Sequence, residues 1–161
     1  MYMKTYKKAL LAIGAILGLG IAWYLGSPLF ITKRVSEALP GEQVQNNTVP
    51  VPMPAVEMLA EGTFTGFDKL HQASGTARII RTDGKTYVRF EDDFTVTNGP
   101  DLFVYLGTDN KYDVNANLGA LKGNEGSQNY EIPPSIDVSK YSEVWVWCRA
   151  FSVPFGKAVL Q

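Results

Sequence analysis

The chain has 161 residues, 45% of them hydrophobic and 19% charged, with 15 Gly, 9 Pro and a single Cys. That length suits one globular domain with something added, and the apolar and aromatic content excludes a disordered chain. One cysteine excludes an intramolecular disulfide and a cysteine-built zinc site, and a formal net charge of -1 argues against nucleic acid held by a broad basic surface.

The charge is unevenly placed. Residues 1–34 carry Lys4, Lys7, Lys8, Lys33 and Arg34 and no acid, a sum of +5, whereas 10 bases and 16 acids leave residues 35–161 at -6. A basic, apolar head on an acidic body predicts a membrane-inserted head and a soluble body. Residues Ala9 to Thr32 contain no charge. A helix over them would be roughly 36 Å long at ~1.5 Å per residue, enough to cross a ~30 Å hydrocarbon core. Trp23 and Tyr24 lie toward its distal end, where amphipathic rings favour the interface, and Pro28 kinks or ends it.

The lysines at 4, 7 and 8, with the amino terminus, outweigh Lys33 and Arg34. The positive-inside bias therefore leaves the N-terminus cytoplasmic and exports the body to the periplasmic or extracellular side of the cell membrane, a single pass. The lipid bilayer is thus the first expected partner, through residues 9–32. A cleaved signal peptide competes, since Ser36-Glu37-Ala38 offers small residues. Against it, Lys33 and Arg34 intervene and the apolar run exceeds the usual roughly 7–15 residues. Gly14, Gly18, Ala22 and Gly26 recur every fourth position, a spacing that suits close helix pairing in a dimer, although a Gly- and Ala-rich run also produces it by chance.

Residues 35–61 read as a linker. Pro50, Pro52 and Pro54 alternate with other residues, which blocks sheet and helix and favours extended chain, a stalk between bilayer and body. Asn46-Asn47-Thr48 is a glycosylation sequon that matters only in a eukaryote. Met53 and Met58 read as packing residues rather than soft metal ligands.

Residues 62–161 predict an all-β domain, an antiparallel β-sandwich or barrel. Thr76 to Arg81 and Thr86 to Phe90 flank Thr82-Asp83-Gly84-Lys85, a hairpin signal. Phe94 to Thr97 reaches the turn Asn98-Gly99-Pro100. Asp101 to Leu106 predicts a central strand, apolar on both faces. Tyr130 to Ile132 stops at Pro133-Pro134, Glu143 to Phe151 is the most aromatic run, and Pro154 to Leu160 closes the chain. No amphipathic helix is predicted after the first segment.

The run Glu143-Val144-Trp145-Val146-Trp147-Cys148-Arg149 alternates. Val144, Val146 and Cys148 fall on one face, the expected core side, and Trp145, Trp147 and Arg149 on the other. If open, that second face suits something flat or anionic; otherwise another layer covers it. Few other residues suggest chemistry. His71 is the single histidine and reads as a surface or turn residue, and no nucleophile elbow is present. Glu91-Asp92-Asp93, with Asp101, Asp109 and Asp113, fits no calcium loop and reads as a solvated acidic edge rather than a metal site. Gly119, Gly123 and Gly126 read as turn glycines, since no phosphate-loop Lys-Ser/Thr follows. Cys148, an unpaired thiol in an exported domain, has three readings: an inert buried hydrophobe, an intermolecular disulfide partner, or a thiolate ligand or redox group.

The body resembles the DM-thirteen (electron transfer DM13) family. The resemblance rests on Gly62-Thr63-Phe64, Gly75 and Phe94, then Asn98-Gly99-Pro100-Asp101-Leu102 and Tyr105-Leu106. It continues through Leu118-Gly119-Ala120-Leu121-Lys122-Gly123, Gly126, Gln128, Tyr130 and Pro133. The last block is Val144-Trp145-Val146-Trp147-Cys148, with Phe151, Val153, Phe155-Gly156 and Ala158. The order of these blocks is shared over about 100 residues. The resemblance implies a β-rich extracytoplasmic module whose characteristic cysteine, matched by Cys148, acts in redox or electron transfer; in this chain Trp147, next in sequence, is expected to shield the site and, with Cys148, to hold any cofactor. It identifies no cofactor, so the cofactor is unknown, and the electron path needs another protein as redox or surface partner. The rival reading is a non-enzymatic binding or structural module.

Overall fold

A computed structural model describes residues 2–27, 30–41 and 55–161. The chain opens with helix α1 (Tyr2–Gly26). Every described side chain from Leu10 to Trp23 is exposed, including Leu11, Ile16 and Leu19. Among the described residues, no helix is long and apolar enough to cross a membrane. Gly14, Gly18 and Gly26 have open space where a side chain would begin.

Ten strands follow: β1 (Glu57–Thr65), β2 (Ala73–Ser74), β3 (Thr76–Thr82), β4 (Lys85–Phe90), β5 (Thr95–Val96), β6 (Leu102–Thr108), β7 (Lys111–Ala120), β8 (Gln128–Ile132), β9 (Glu143–Cys148) and β10 (Val153–Val159). Eight form one antiparallel sheet in the order β7-β6-β9-β10-β1-β3-β4-β8, and β2 and β5 pair separately. The two outer strands, β7 and β8, approach each other, so the sheet curls into a nearly closed barrel rather than a two-sheet sandwich. Closure removes exposed edges that a flat sheet would present. The only described helix after α1 is a single 3₁₀ turn at Val138–Lys140.

Strand alternation fills the barrel. Val104 and Leu106 of β6, Val144 and Val146 of β9, and Val88 and Phe90 of β4 all point inward with no more than 2% exposure. Phe64, Phe90 and Phe94 meet at ring-centroid distances of 4.5 to 5.1 Å and form an aromatic knot at one end of the core. Such tilted and edge-on pairs contribute about 0.5–1.5 kcal/mol each beyond the area they bury. The Asp83-Gly84 hairpin forms as predicted, with Thr82 opposite Lys85. β1, β2 and β7 were not foreseen: β1 begins inside the expected linker, β2 is only two residues long, and β7 lies in a stretch expected to hold acidic and turn residues.

The largest departure concerns residues 35–41, the described part of the expected stalk, together with Lys33 and Arg34 at the end of the expected anchor segment. The expected stalk would leave them free, but Lys33 to Ala38 lie as a strap along the loop before β8. Val35 N–H donates to the Glu125 carbonyl at 2.9 Å and Glu37 N–H to the Ser127 carbonyl at 3.0 Å, while the Lys33 carbonyl accepts from Asn124 N–H at 2.7 Å. The Glu37 carboxylate accepts from the Lys122 ammonium at 2.9 Å and from Asn129 N–H at 2.8 Å. Arg89, 7% exposed, donates to the carbonyls of Glu37 and Ala38, both at 3.3 Å. Paired backbone groups and a carboxylate bound to a cation outweigh the extended-chain preference of the prolines further on. The strap therefore joins the domain before the proline-rich run at 42–54, which lies outside the described residues together with Met53 and the sequon. Met58 sits in β1, 60% exposed.

Gly126 makes this docking tight. Its φ is 86°, and a side chain there would run into the Val35 carbonyl. We expect Gly126→Ala to destabilise the domain by about 1–3 kcal/mol, seen as a lower urea midpoint. It should also release the strap backbone around Lys33 and Arg34, whose side chains are already exposed, seen as faster tryptic cleavage in limited proteolysis.

Candidate functional site

β9 carries the expected site residues, and its alternation decides what each can reach. Cys148 has no exposed surface and lies in the apolar core, opposite Leu102 of β6 and Val153 of β10. The thiol is closed to solvent, to reagents and to a partner thiol in this fold. Trp147 and Arg149 stand on the opposite face. Arg149 lies over the Phe103 ring, 3.4 Å from its centroid, and pairs with Asp101 at 3.1 Å. Its charge is thus engaged away from the sulfur. The structure does not bring Cys148 and Trp147 side by side; one strand thickness separates them.

The outer face is partly covered. Trp145 is 4% exposed, stacked on Phe67 at 5.5 Å, with the Lys157 ammonium 5.5 Å from its ring. Its indole N–H donates to the buried Glu143 carboxylate at 2.9 Å, which also accepts from Asn110 N–H at 3.1 Å and pairs with Lys157 at 3.6 Å. Gly107 leaves the room this indole needs, since a side chain there would strike it. Trp147 is half-buried, with Tyr112 at 4.4 Å, and Tyr112 in turn lies 4.9 Å from Tyr105.

These rings wall an open groove of about 750 Å³ lined by Tyr112, Asp113, Val114, Tyr141, Trp145 and Trp147, with the β6–β7 turn above it. Asp113 is held below the usual carboxylate range by the Asn115 N–H and the Tyr141 hydroxyl, so it stays charged. Chemically, the groove offers aromatic faces beside a fixed carboxylate. Tyr112, Tyr141 and Glu143 were not anticipated. The strict alternation of Tyr112, Val114, Ala116 and Leu118 with polar residues is the signal that marks β7.

The remaining sequence candidates disperse. His71 sits in the turn after β1, its Nδ1 2.7 Å from Asp68 and its ring edge-on to Phe155 at 4.6 Å. Asp92 pairs with Arg34, Glu91 with Arg78 and Arg89, and Asp101 with Arg149. Among the described residues, no three His, Cys, Asp or Glu side chains gather as a metal site. Gln128, fully buried, fixes the loop before β8. Its amide accepts from the Tyr130 hydroxyl at 2.7 Å and Gly123 N–H at 3.1 Å, and donates to the Gly123 carbonyl at 2.8 Å. Burial pushes the Tyr130 phenol well above its ordinary value, so it remains a donor.

A barrel with a sealed thiol and an aromatic outer strand defines a small all-β module. The family model described as Electron transfer DM13 matches residues 64–160, more than half of the chain, and the chain belongs to that family. No curated protein and no solved structure matches it.

Two outcomes follow from this geometry. A disulfide reagent that detects free thiols should find none in the folded protein and one per chain after denaturation. Asp68, drawn down to about 2 by hydrogen bonds from the His71 side chain and from the His71 and Leu70 backbone, adds stability that is present above its unfolded value near 3.8. That increment is lost as pH falls through about 2. Asp68→Asn should flatten the acid limb of the stability curve, measured by urea titration at stepped pH.

Proposed function

We propose that the protein is a single-pass, membrane-anchored electron-transfer module held on the periplasmic or extracellular side of the membrane. Family membership supports the electron-transfer role. The anchor rests on the uncharged run from Ala9 to Thr32 in the sequence and the lysines before it. The observation that carries the site assignment is the placement of Cys148. The only thiol of the chain is sealed behind the strand whose outer face presents Trp147 to the groove.

In this reading the redox partner docks in the groove, against Tyr112 and Trp147. Cys148 takes part from behind the strand, shielded from side reactions with solvent. Half-exposed aromatic side chains contribute most where a partner desolvates them, which makes Trp147 the natural anchor of such a contact. A second reading, a non-enzymatic binding or structural module, draws support from the same burial: a thiol packed among Leu and Val side chains serves as an ordinary core residue.

Absorption spectra of the purified full chain, with and without reductant, test the proposal. A reductant-dependent visible band, with Trp147→Ala weakening partner binding roughly tenfold or more, supports electron transfer at this site. A spectrum of aromatic absorption only, with Cys148→Ala retaining full biological activity, replaces it with the binding module. Alanine is the better probe here, because Cys148→Ser buries a hydroxyl without a partner and costs about 1–3 kcal/mol on its own account.

A further inference from the structure

The strap fixes where α1 meets the barrel. Only residues 27–32 lie between Gly26 at the helix end and Lys33 at its docking site. Six residues reach at most about 22 Å when extended. The backbone N–H groups of Phe30 and Ile31 both donate to the Ser27 carbonyl, at 3.0 and 3.1 Å, which shortens that reach. One end of the barrel is therefore held close to the end of α1.

The loops at that end form a continuous rim. Asn98 donates to the Thr32 hydroxyl at 3.4 Å, and Asn124 N–H to the Lys33 carbonyl. Arg149 N–H donates to the Asp101 carbonyl at 3.0 Å, bringing the β9–β10 turn to the same rim. The Thr97 hydroxyl donates to the Leu70 carbonyl at 2.9 Å, which adds the turn after β1. Ile31 and Lys33 line one cavity of about 380 Å³ with Asp101, Phe103 and Leu121.

This rim carries large apolar side chains that the barrel leaves in the open. Phe30 is 85% exposed, Leu70 76% and Phe151 62%. Lys69 stands beside Leu70 in sequence, and Arg149, two residues before Phe151, is held in its pair with Asp101. Apolar tips with a cation beside them are what a headgroup boundary accommodates: the tips enter the acyl edge and the Lys69 ammonium stays with the phosphates.

We propose that the rim of Phe30, Leu70 and Phe151 rests in the interface of the same bilayer that holds α1. The barrel then lies on the membrane surface rather than above it on a stalk. The inference rests on the anchored reading of α1. The barrel axis is set by this second contact, and the aromatic groove, next to the β6–β7 turn at the far end of β6, faces away from the lipid.

The test uses the full chain in phosphatidylcholine vesicles. Nitroxide labels are attached at Leu17→Cys, Leu70→Cys, Phe151→Cys and Val114→Cys, one at a time. A Cys148→Ala background ensures that the native sulfur carries no label. Accessibility is read as the ratio of relaxation by oxygen, which enters lipid, to relaxation by a water-soluble nickel chelate. Val114 is the control, an apolar side chain 68% exposed near the far end of the barrel. The expected result is a ratio several-fold higher at positions 70 and 151 than at position 114, with position 17 the highest. A lipid-like ratio at 17 with water-like ratios at 70 and 151 overturns the rim contact alone. A water-like ratio at 17 overturns the anchor and the rim contact together.

Discussion

The two-residue repeat of β9 is the constraint on which the site depends. Strand geometry sends successive side chains to opposite faces. With Val144 and Val146 in the core, Cys148 has to be inside, and Trp145 and Trp147 have to be outside. The inner face is sealed by the flanking strands β6 and β10, whose partners for Cys148 are Leu102 and Val153. The outer face needs cover of its own, because two indoles are too much apolar surface to leave in water. Phe67 and Lys157 supply it for Trp145, and Tyr112 supplies part of it for Trp147. The groove is the remainder that this cover leaves open.

Buried polar groups fix what hydrophobic packing leaves ambiguous. Gln128 has both ends of its amide satisfied within one loop, and Arg89 is neutralised by Glu91 while it holds two strap carbonyls. A buried amide or guanidinium without partners costs far more than it returns. Each therefore selects one loop conformation and one strap position. The ion pairs on the exterior, such as Lys85 with Glu131, are exposed and contribute little.

Much of the fold could be read from the residues. The Asp83-Gly84 hairpin, β6, β8 and β10 overlap the predicted runs and β9 lies inside its run, because turn residues and β-branched alternation mark them locally. β1 escaped because Glu57-Met58-Leu59-Ala60-Glu61 is weakly alternating and follows a proline-rich run. β7 escaped because Asp113, Asn115 and Asn117 read as turn formers, although they alternate with Tyr112, Val114, Ala116 and Leu118. The burial of Cys148 was legible from its phase with Val144 and Val146. The groove was not, since Tyr112 and Tyr141 reach it from distant parts of the chain. Nor was the strap, whose affinity for the body comes from backbone pairing and from Glu37, both set by the tertiary fold.

The strap also changes what a cut in the chain would do. Residues 42–54 join two points that are both fixed on the barrel: the strap before them and β1 after them. They are therefore not the sole tie between head and body. A protease acting there would leave a nicked barrel still gripped by Glu37 and Arg89, with α1 attached through the strap. Shedding of the body from its head would instead require cleavage ahead of the strap, between Gly26 and Lys33.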